Sequence, residues 1–277
     1  MPTPEFDHLW NYGDPAGTEA RLRDLLPTLA DADLRLQLHT QIARAQGLQR
    51  QFDAAHATLD QVERELTPDT RVARIRYLLE RGRLFNSSGS PATACPLFEQ
   101  AFEQAAQDDF YAVDAAHMLG IAATKGDERL KWNLRALALA EASTHPRTQQ
   151  WAGSLYNNLG WTYHDDQRFV EALDVFQRAL RFREAQGQAE SIRIAQWCVA
   201  RALRSLGRID EALPLLYPLL PFADGYAYEE VGECLLLQQQ AEEAKPYFAK
   251  AHALLSADEW LVANEPARLE RLQSLSQ

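Results

Sequence analysis

The sequence predicts an all-α fold made of repeated helix pairs. Composition is the first observation, because Gly and Pro number only 13 each and Ala, Leu, Gln, Glu and Arg dominate, a mix that favours helices over strands. The second is a five-residue motif that recurs along the chain and ends in alanine, as in Arg168-Phe-Val-Glu-Ala172. The third is apolar spacing of three, four and seven, which gives each segment one apolar helix face.

The recurring alanine sets the length of the repeat. It stands at positions 55, 94, 172, 212 and 244, so successive gaps are 39, 78, 40 and 32 residues. Because 78 is twice 39, a hidden repeat is expected in the middle. It lies around Gly120 and Trp132, about two residues short in its second helix and without the usual alanine. The count is six helix pairs within residues 36–255.

Small and bulky residues alternate at set places in the second helix of each pair. A small residue allows that helix to approach its partner closely, and a bulky residue four positions later fills the space between pairs. The alanines are Ala55, Ala94, Ala172, Ala212 and Ala244, and the bulky residues are Leu59, Phe98, Phe176, Leu216 and Phe248.

Both ends of the chain are predicted to cap the array. Asp14 followed by Pro15 is typical of a helix start, and residues 1–35 are assigned to an N-terminal capping half repeat. A final helix begins near Pro266, and residues 256–277 are assigned to a C-terminal capping helix that closes the last repeat. A dimerisation helix is the alternative. The apolar face of this helix consists of Leu269, Leu272 and Leu275.

The clearest repeat, residues 156–180, has an aromatic, a Leu-Gly pair and a second aromatic at Tyr156, Gly160 and Tyr163. An alanine, an aromatic and an alanine follow from Ala172. This pattern resembles a tetratricopeptide repeat, and the period of about 39 in place of 34 resembles the longer repeats of kinesin light chains and of bacterial peptide-sensing regulators. The resemblance implies a right-handed α-solenoid of about six such helix pairs with capping helices.

Charge and cysteine usage exclude several classes of protein. The formal net charge is −11, from 28 basic and 39 acidic residues, which disfavours direct binding to nucleic acid. Cys95, Cys198 and Cys234 have no CxxC spacing and are expected to stay reduced. The first residues lack the pattern of a secretory signal, and the longest apolar run, 212–223, is too short to span a membrane. These features predict a cytoplasmic protein.

The titratable residues form no motif of catalysis or metal binding. His164 lies in a turn, where polar residues are common, and His117 and His145 have no His or Cys at the third or fourth position beyond them. No Gly-rich phosphate loop or nucleophile elbow occurs. The sequence therefore predicts a non-enzymatic protein with no metal and no cofactor.

The resemblance also implies a concave groove lined by the first helix of each pair. The residue after the small residue of the Leu-Gly pair points into it, and arginine recurs at this place. The predicted groove residues are Arg44, Arg83, Asn86, Asn157, Asn158, Trp161, Trp197, Arg201 and Arg204.

These residues predict a scaffold or adaptor that holds an acidic or carboxylate-bearing segment of a protein or peptide. Arginine grips carboxylates with two parallel hydrogen bonds, and tryptophan supplies flat apolar contact. Alternatively, the arginines pair with acids on adjacent helices, as Glu80 beside Arg83 suggests. A second alternative for function is a structural protein that forms homo-oligomers through its convex face or terminal helices, with an inert groove.

Overall fold

The computed structural model describes residues 5–277, and these residues form helices without any strand. The predicted all-α fold is confirmed. Residues 1–4, which belong to the predicted N-terminal cap and to the segment inspected for a secretory signal, lie outside the described residues. In chain order the α-helices are α1 (Pro15–Leu25), α2 (Ala32–Leu48), α3 (Phe52–Glu65), α4 (Arg71–Ser87), α5 (Pro91–Gln104), α6 (Asp109–Ala122), α7 (Gly126–Ala142), α8 (Pro146–Gln149), α9 (Ala152–Asp165), α10 (Phe169–Gln186), α11 (Ala189–Ser205), α12 (Ile209–Leu216), α13 (Gly225–Leu237), α14 (Ala241–Leu255), α15 (Glu259–Asn264) and α16 (Pro266–Leu275). Short 3-10 helices cover Glu5–Leu9, Leu26–Thr28 and Tyr217–Phe222.

The helices alternate between two roles. We call α2, α4, α6, α9, α11 and α13 the A helices, and α3, α5, α7, α10, α12 and α14, each of which follows an A helix after a three-residue turn, the B helices. Five of these turns share one backbone conformation, in which the second turn residue is left-handed and the third donates its N–H to a carbonyl five residues back. The left-handed residues are Arg50, Gly89, Gln167, Gly207 and Gln239.

In three of the six helix pairs, a glycine of the A helix fits closely against a phenylalanine of the B helix. A β carbon added at Gly232 would come within 2.8 Å of the Phe248 ring, a distance that real side chains do not tolerate. Gly82 with Phe98 and Gly160 with Phe176 repeat the arrangement. The residues predicted to lie at close helix contacts are all fully buried: Ala55, Ala94, Ala172, Ala212, Ala244, Leu59, Phe98, Phe176, Leu216 and Phe248.

The middle pair departs from the prediction in one respect. Its second helix, α7, has 17 residues and is not short, so that detail was wrong. Instead, α6 ends two residues after Gly120, whereas α9 ends five residues after Gly160. Asn133 takes the place of the phenylalanine against Gly120, and the turn between α6 and α7 has no left-handed residue.

The chain divides into two compact units, Met1–Leu155 and Tyr156–Gln277, here called unit 1 and unit 2. In unit 1, Phe6 and Leu22 pack against Leu38 and Ile42 of α2. In unit 2, α16 packs against α14 and buries Leu269 and Leu272, with Leu275 packed beside them. The units do not coincide with the three predicted segments 1–35, 36–255 and 256–277, whose boundaries stay a prediction.

None of the described helices combines the length and the apolar character needed to cross a bilayer.

Candidate functional site

Side chains between neighbouring A helices form two surfaces, one in each unit. A-face 1 of unit 1 consists of Gln41, Arg44, Arg76, Glu80, Arg83 and Asp114. A-face 2 of unit 2 consists of Asn157, Trp161, Trp197, Arg201, Arg204, Tyr226 and Glu230. Most of the predicted groove residues therefore fall into two sets.

On A-face 1 the predicted arginines are balanced by buried acids. Arg44 donates from Nη1 to Glu80 Oε1 at 3.3 Å, and Arg83 donates to the same oxygen at 2.6 Å. Arg83 also donates to Asp114 of α6. Burial disfavours charge on Asp114, but Arg83 and Arg44 hold the pKa of its carboxyl below the usual value. Two arginines thus face two carboxylates, and Oε2 of Glu80 is buried without a hydrogen-bond partner.

On A-face 2 two arginines share one buried carboxylate. Arg201 donates from Nη1 to Glu230 Oε2 at 2.9 Å, and Arg204 donates through Nε and Nη2 to both oxygens of Glu230. Glu230 is only 1% exposed, while the side chain of Arg201 is 33% exposed. Nε of Arg201 is buried and has no hydrogen-bond partner. These three residues carry a net charge of about +1, because one carboxylate offsets only one of two guanidinium groups.

An aromatic row adjoins these arginines. The ring centroids of Trp161 and Trp197 are 5.7 Å apart, and those of Trp197 and Tyr226 are 6.1 Å apart. Trp197 donates its indole N–H to the Tyr226 carbonyl at 3.2 Å, which fixes the ring. Both tryptophans are half-buried, so each keeps apolar area accessible to a ligand.

His164 completes the edge of A-face 2. Its ring lies against Trp161, with centroids 5.2 Å apart, and its Nε2 is 2.9 Å from the Ser205 hydroxyl. Burial, aided by the nearby Arg201 and Arg204, lowers the pKa of His164. The imidazole is therefore neutral near pH 7 and adds no charge to A-face 2.

The three predicted asparagines lie in different surroundings. Asn157 is half-buried, and its side-chain oxygen accepts from the Cys198 thiol at 3.6 Å. Asn158 is half-buried in the next position of α9 and its backbone carbonyl accepts from the Thr162 hydroxyl. Asn86 is half-buried in the last turn of α4.

A-face 1 holds a ligand-like segment that the sequence analysis missed. The Asp7 carboxylate accepts from Arg76 at 3.0 and 2.7 Å and from Arg147 at 2.6 Å. Phe6 is buried, and Trp10 donates its indole N–H to Gln41 at 3.1 Å. The density of aromatic and acidic residues ahead of α1 is the sequence signal that could have revealed it.

Within residues 5–277 no three His, Cys, Asp or Glu side chains are grouped so as to hold a metal ion.

The comparisons with known proteins agree with this geometry. Residues 153–185, which include α9 and most of α10, match the family model of the tetratricopeptide repeat. The chain carries a tetratricopeptide repeat and has the fold of that superfamily. The resemblance predicted from the sequence is thereby confirmed. No curated protein matches the sequence.

Solved structures share the fold at low sequence identity. The apo form of RapI superposes with a TM-score of 0.71 at 11% identity, over 92% of this chain and 76% of RapI. The signal-transduction ATPase PH0952 from Pyrococcus horikoshii, which has a tetratricopeptide repeat sensor, gives 0.72 at 12% identity, over 96% of this chain and 42% of that protein. Repeats of a putative kinesin light chain from Podosopora anserina give 0.56 at 20% identity, over 70% of this chain and 96% of theirs.

These identities support a shared fold alone. Tetratricopeptide proteins generally serve as scaffolds that bind protein or peptide partners, and generally are not enzymes. Residues 153–185 thus match a repeat whose family generally binds protein or peptide partners.

Proposed function

We propose that the protein is a non-enzymatic adaptor whose A-face 2 binds an acidic or carboxylate-bearing segment of a partner protein. The observation that supports the proposal is the shared carboxylate of Glu230, which leaves one positive charge on A-face 2 in a chain whose net charge is −11. An acidic segment is repelled by most of such a surface and attracted to this one. The excess charge therefore supplies both affinity and position.

Arg201 is the residue best placed to contact the ligand. Its side chain is one-third exposed, whereas that of Arg204 is only 15% exposed. Nη1 of Arg201 donates a hydrogen bond to Glu230 at 2.9 Å, so the planar guanidinium is already oriented before a ligand binds. An oriented guanidinium loses less side-chain entropy on binding a carboxylate, and each such charge-assisted hydrogen bond contributes about 1.5–3 kcal/mol.

The aromatic row would contact the apolar side chains of the same segment. Trp161 and Trp197 are rigid because each packs against further rings, and rigid aromatic anchors lose little entropy on binding. Asn157 and Asn158, one turn before Trp161, would hydrogen-bond to the backbone of the segment. In PH0952, tetratricopeptide repeats of the same fold form a sensor.

Arg44, Arg83 and Asn86 are not part of this proposal. The charges of Arg44 and Arg83 are offset by Glu80 and Asp114, and the unpaired polar atom on A-face 1 is an acceptor oxygen rather than a donor. For these two arginines the alternative of pairing with acids on adjacent helices is therefore preferred.

The experiment selects ligands from random sequences, so the natural partner need not be identified first. A displayed library of random linear dodecapeptides is panned against the protein, and the dissociation constants of selected peptides are measured at low and high salt. We expect selected peptides to be enriched in Asp, Glu or a free C-terminal carboxylate, and Arg201→Glu to weaken their binding at least tenfold at low salt. Trp161→Ala should weaken binding with little dependence on salt, because its contribution is apolar contact.

Arg181 provides the matched control, since it is an exposed arginine on α10 of the same unit. Arg181→Glu makes the same change in net charge and should leave the affinity within about twofold. Selected peptides without acid enrichment, or equal effects of the two charge reversals, would contradict the proposal.

An assembly role is a second candidate, supported by exposed apolar side chains within the predicted C-terminal cap, residues 256–277. Trp260 is 61% and Val262 is 49% exposed on α15, and exposed apolar residues of this size can mark a protein interface. Sedimentation velocity over a hundredfold range of concentration tests it. A dimer that Trp260→Ser abolishes would favour assembly, whereas a monomer throughout would exclude self-association by α15.

The free cysteines indicate the cellular compartment in which the protein acts. The three cysteines are free, and free thiols persist in a reducing compartment. We therefore propose that the protein acts in the cytoplasm.

A further inference from the structure

The residues Phe6–Tyr12, here called the N-terminal segment, lie on A-face 1. Their contacts run from one helix to the next: Trp10 reaches Gln41 on α2, and Asp7 reaches Arg76 on α4. Asp7 also contacts Arg147 on α8. A short segment that crosses two neighbouring A helices, α2 and α4, and also reaches α8 lies as a bound peptide would lie on a repeat protein.

The contact with Asp7 has the features of a built recognition site. Arg76 is 3% exposed, donates from both terminal nitrogens to the two Asp7 oxygens at 3.0 and 2.7 Å, and donates from Nε to the Tyr111 hydroxyl at 2.6 Å. Arg147 adds a third donor to Asp7 at 2.6 Å. The fork of Arg76 is thus fixed by Tyr111 independently of Asp7, and a second arginine covers the same carboxylate.

The buried charge makes an acid necessary in this position. Burial opposes charge on Arg76, but Tyr111 and Asp7 raise its pKa above the usual value. A guanidinium cannot shed its proton in a protein, so without a carboxylate it would be left charged and buried. The site therefore selects for an acidic occupant.

Aromatic contacts flank the carboxylate. Phe6, the residue before Asp7, is buried among Leu22, Leu38 and Ile42, and its ring lies 5.4 Å from the Arg76 guanidinium. Beyond Asp7, the Arg44 guanidinium lies 5.5 Å from the Trp10 ring and 5.6 Å from the Tyr12 ring. Arg44 thus has a role on A-face 1 that does not require an acid from a partner.

We infer that A-face 1 is a second peptide-binding site, specific for an aromatic residue directly followed by an acidic one, and that the chain's own N-terminal segment occupies it in competition with a partner segment of the same chemistry. The apolar pocket selects the aromatic ring, and the two arginines select the carboxylate. Because the N-terminal segment is joined to α1, its effective concentration at the site is on the order of millimolar. A partner segment binds measurably once this internal occupant is weakened.

The test uses the full chain and a labelled synthetic nonapeptide with the sequence of residues 5–13. The double variant Phe6→Ala/Asp7→Asn weakens the internal segment, and fluorescence anisotropy measures binding of the peptide. We expect the double variant to bind the peptide at least tenfold more tightly than the unsubstituted chain does. The same peptide with Asp7→Asn should bind at least tenfold more weakly, since it cannot neutralise Arg76.

Matched variants locate the site. In the double-variant background, Arg147→Ala should weaken peptide binding at least tenfold, because Arg147 contacts Asp7 directly. Arg135→Ala, which removes an exposed arginine from α7 of the same unit, should leave it unchanged. Arg201→Glu should also leave it unchanged, so this result is independent of the peptides bound by A-face 2.

Three results would overturn the inference. One is a folded double variant, judged by circular dichroism and melting temperature, that binds the peptide no better than the unsubstituted chain. Another is failure of both the double variant and the milder Asp7→Asn variant to fold, which would make the segment a fixed part of the core. The third is a dimer, detected by sedimentation, that forms through the segment, which would identify a second copy as the occupant.

Discussion

Replacement of Glu230 by glutamine should separate stability from ligand affinity. Glutamine keeps the size of the side chain and one acceptor oxygen, but it removes the negative charge that Arg201 and Arg204 share. Loss of one partner from a buried ion pair costs about 3–5 kcal/mol. The lower figure applies here, because the side chains of Arg201 and Arg204 are 33% and 15% exposed and can turn toward water.

A loss of about 3 kcal/mol corresponds to a fall in melting temperature of about 10 °C for a unit of this size, at about 2–8 °C per kcal/mol. Thermal unfolding should be followed by tryptophan fluorescence, since Trp161 and Trp197 lie beside the pair. At the same time the net charge of A-face 2 rises from about +1 to about +2. Binding of acidic peptides should then tighten severalfold at low salt and less at high salt.

Glu211→Gln is the control for the stability measurement. Glu211 pairs with Arg208 on the surface of the same unit, where both side chains are about half exposed, and such solvent-screened pairs contribute little to stability. The melting temperature of the Glu211→Gln variant should therefore lie only a few degrees below that of the unsubstituted chain. Equal shifts for the two variants would show that Glu230 does not hold a buried charge balance, and the reasoning about A-face 2 would be wrong.

Three further outcomes are expected. Ala172→Trp should lower the free energy of unfolding by about 1–3 kcal/mol or more, because Ala172 is fully buried; an unchanged melting temperature would show that the helix register is wrong. The lowered pKa of Asp114 stabilises the fold at pH values above the carboxyl's unfolded-state pKa of about 3.9, and this contribution is lost as the pH falls through the folded-state pKa. The stability deficit of Asp114→Asn, measured as the difference in melting temperature from the unsubstituted chain, should thus be largest near neutral pH and shrink in acid. Burial raises the pKa of Cys198 and of Cys234 to about 12, so neither thiol should react with Ellman's reagent at pH 8 until denaturant is added.

The fold could be predicted because its main contacts are local and periodic. Ala172 and Phe176 lie on one helix face, and equivalent small and bulky residues recur at the same places in the other well-formed repeats. A period of this kind is visible in a single sequence. The middle pair was interpreted less well, since the departure there is an early end of α6 after Gly120 rather than a change in α7. An early end of the first helix and a shortened second helix remove residues from the same stretch of sequence, so the sequence alone does not distinguish them.

The candidate site could be predicted only in part. The positions of Arg44, Arg83 and Arg201 follow from the repeat, and Glu80 is visible beside Arg83 on the same helix. The other partners lie on different helices, 36 residues from Arg44, 31 from Arg83 and 29 from Arg201. Repeat periodicity says which helices are neighbours and does not say which rotamers bring charges together. The N-terminal segment was missed for the same reason, because its contacts with A-face 1 depend on how residues outside the repeat fold back.

The ion pairs between A helices also determine which repeat can follow which along the chain. An arginine late in one A helix meets a carboxylate in the next, as Arg83 meets Asp114 and Arg201 meets Glu230. The matching places of α9 hold Asn158 and other uncharged residues. If α9 were grafted after α11, Arg201 would lose its partner, although the contact between Gly160 and Phe176 lies within one helix pair and would be kept. The ion pairs thus restrict which repeats can be neighbours, because an arginine of one A helix needs a carboxylate at the matching place of the next. Repeats of this protein could therefore be recombined only in an order that keeps these ion pairs.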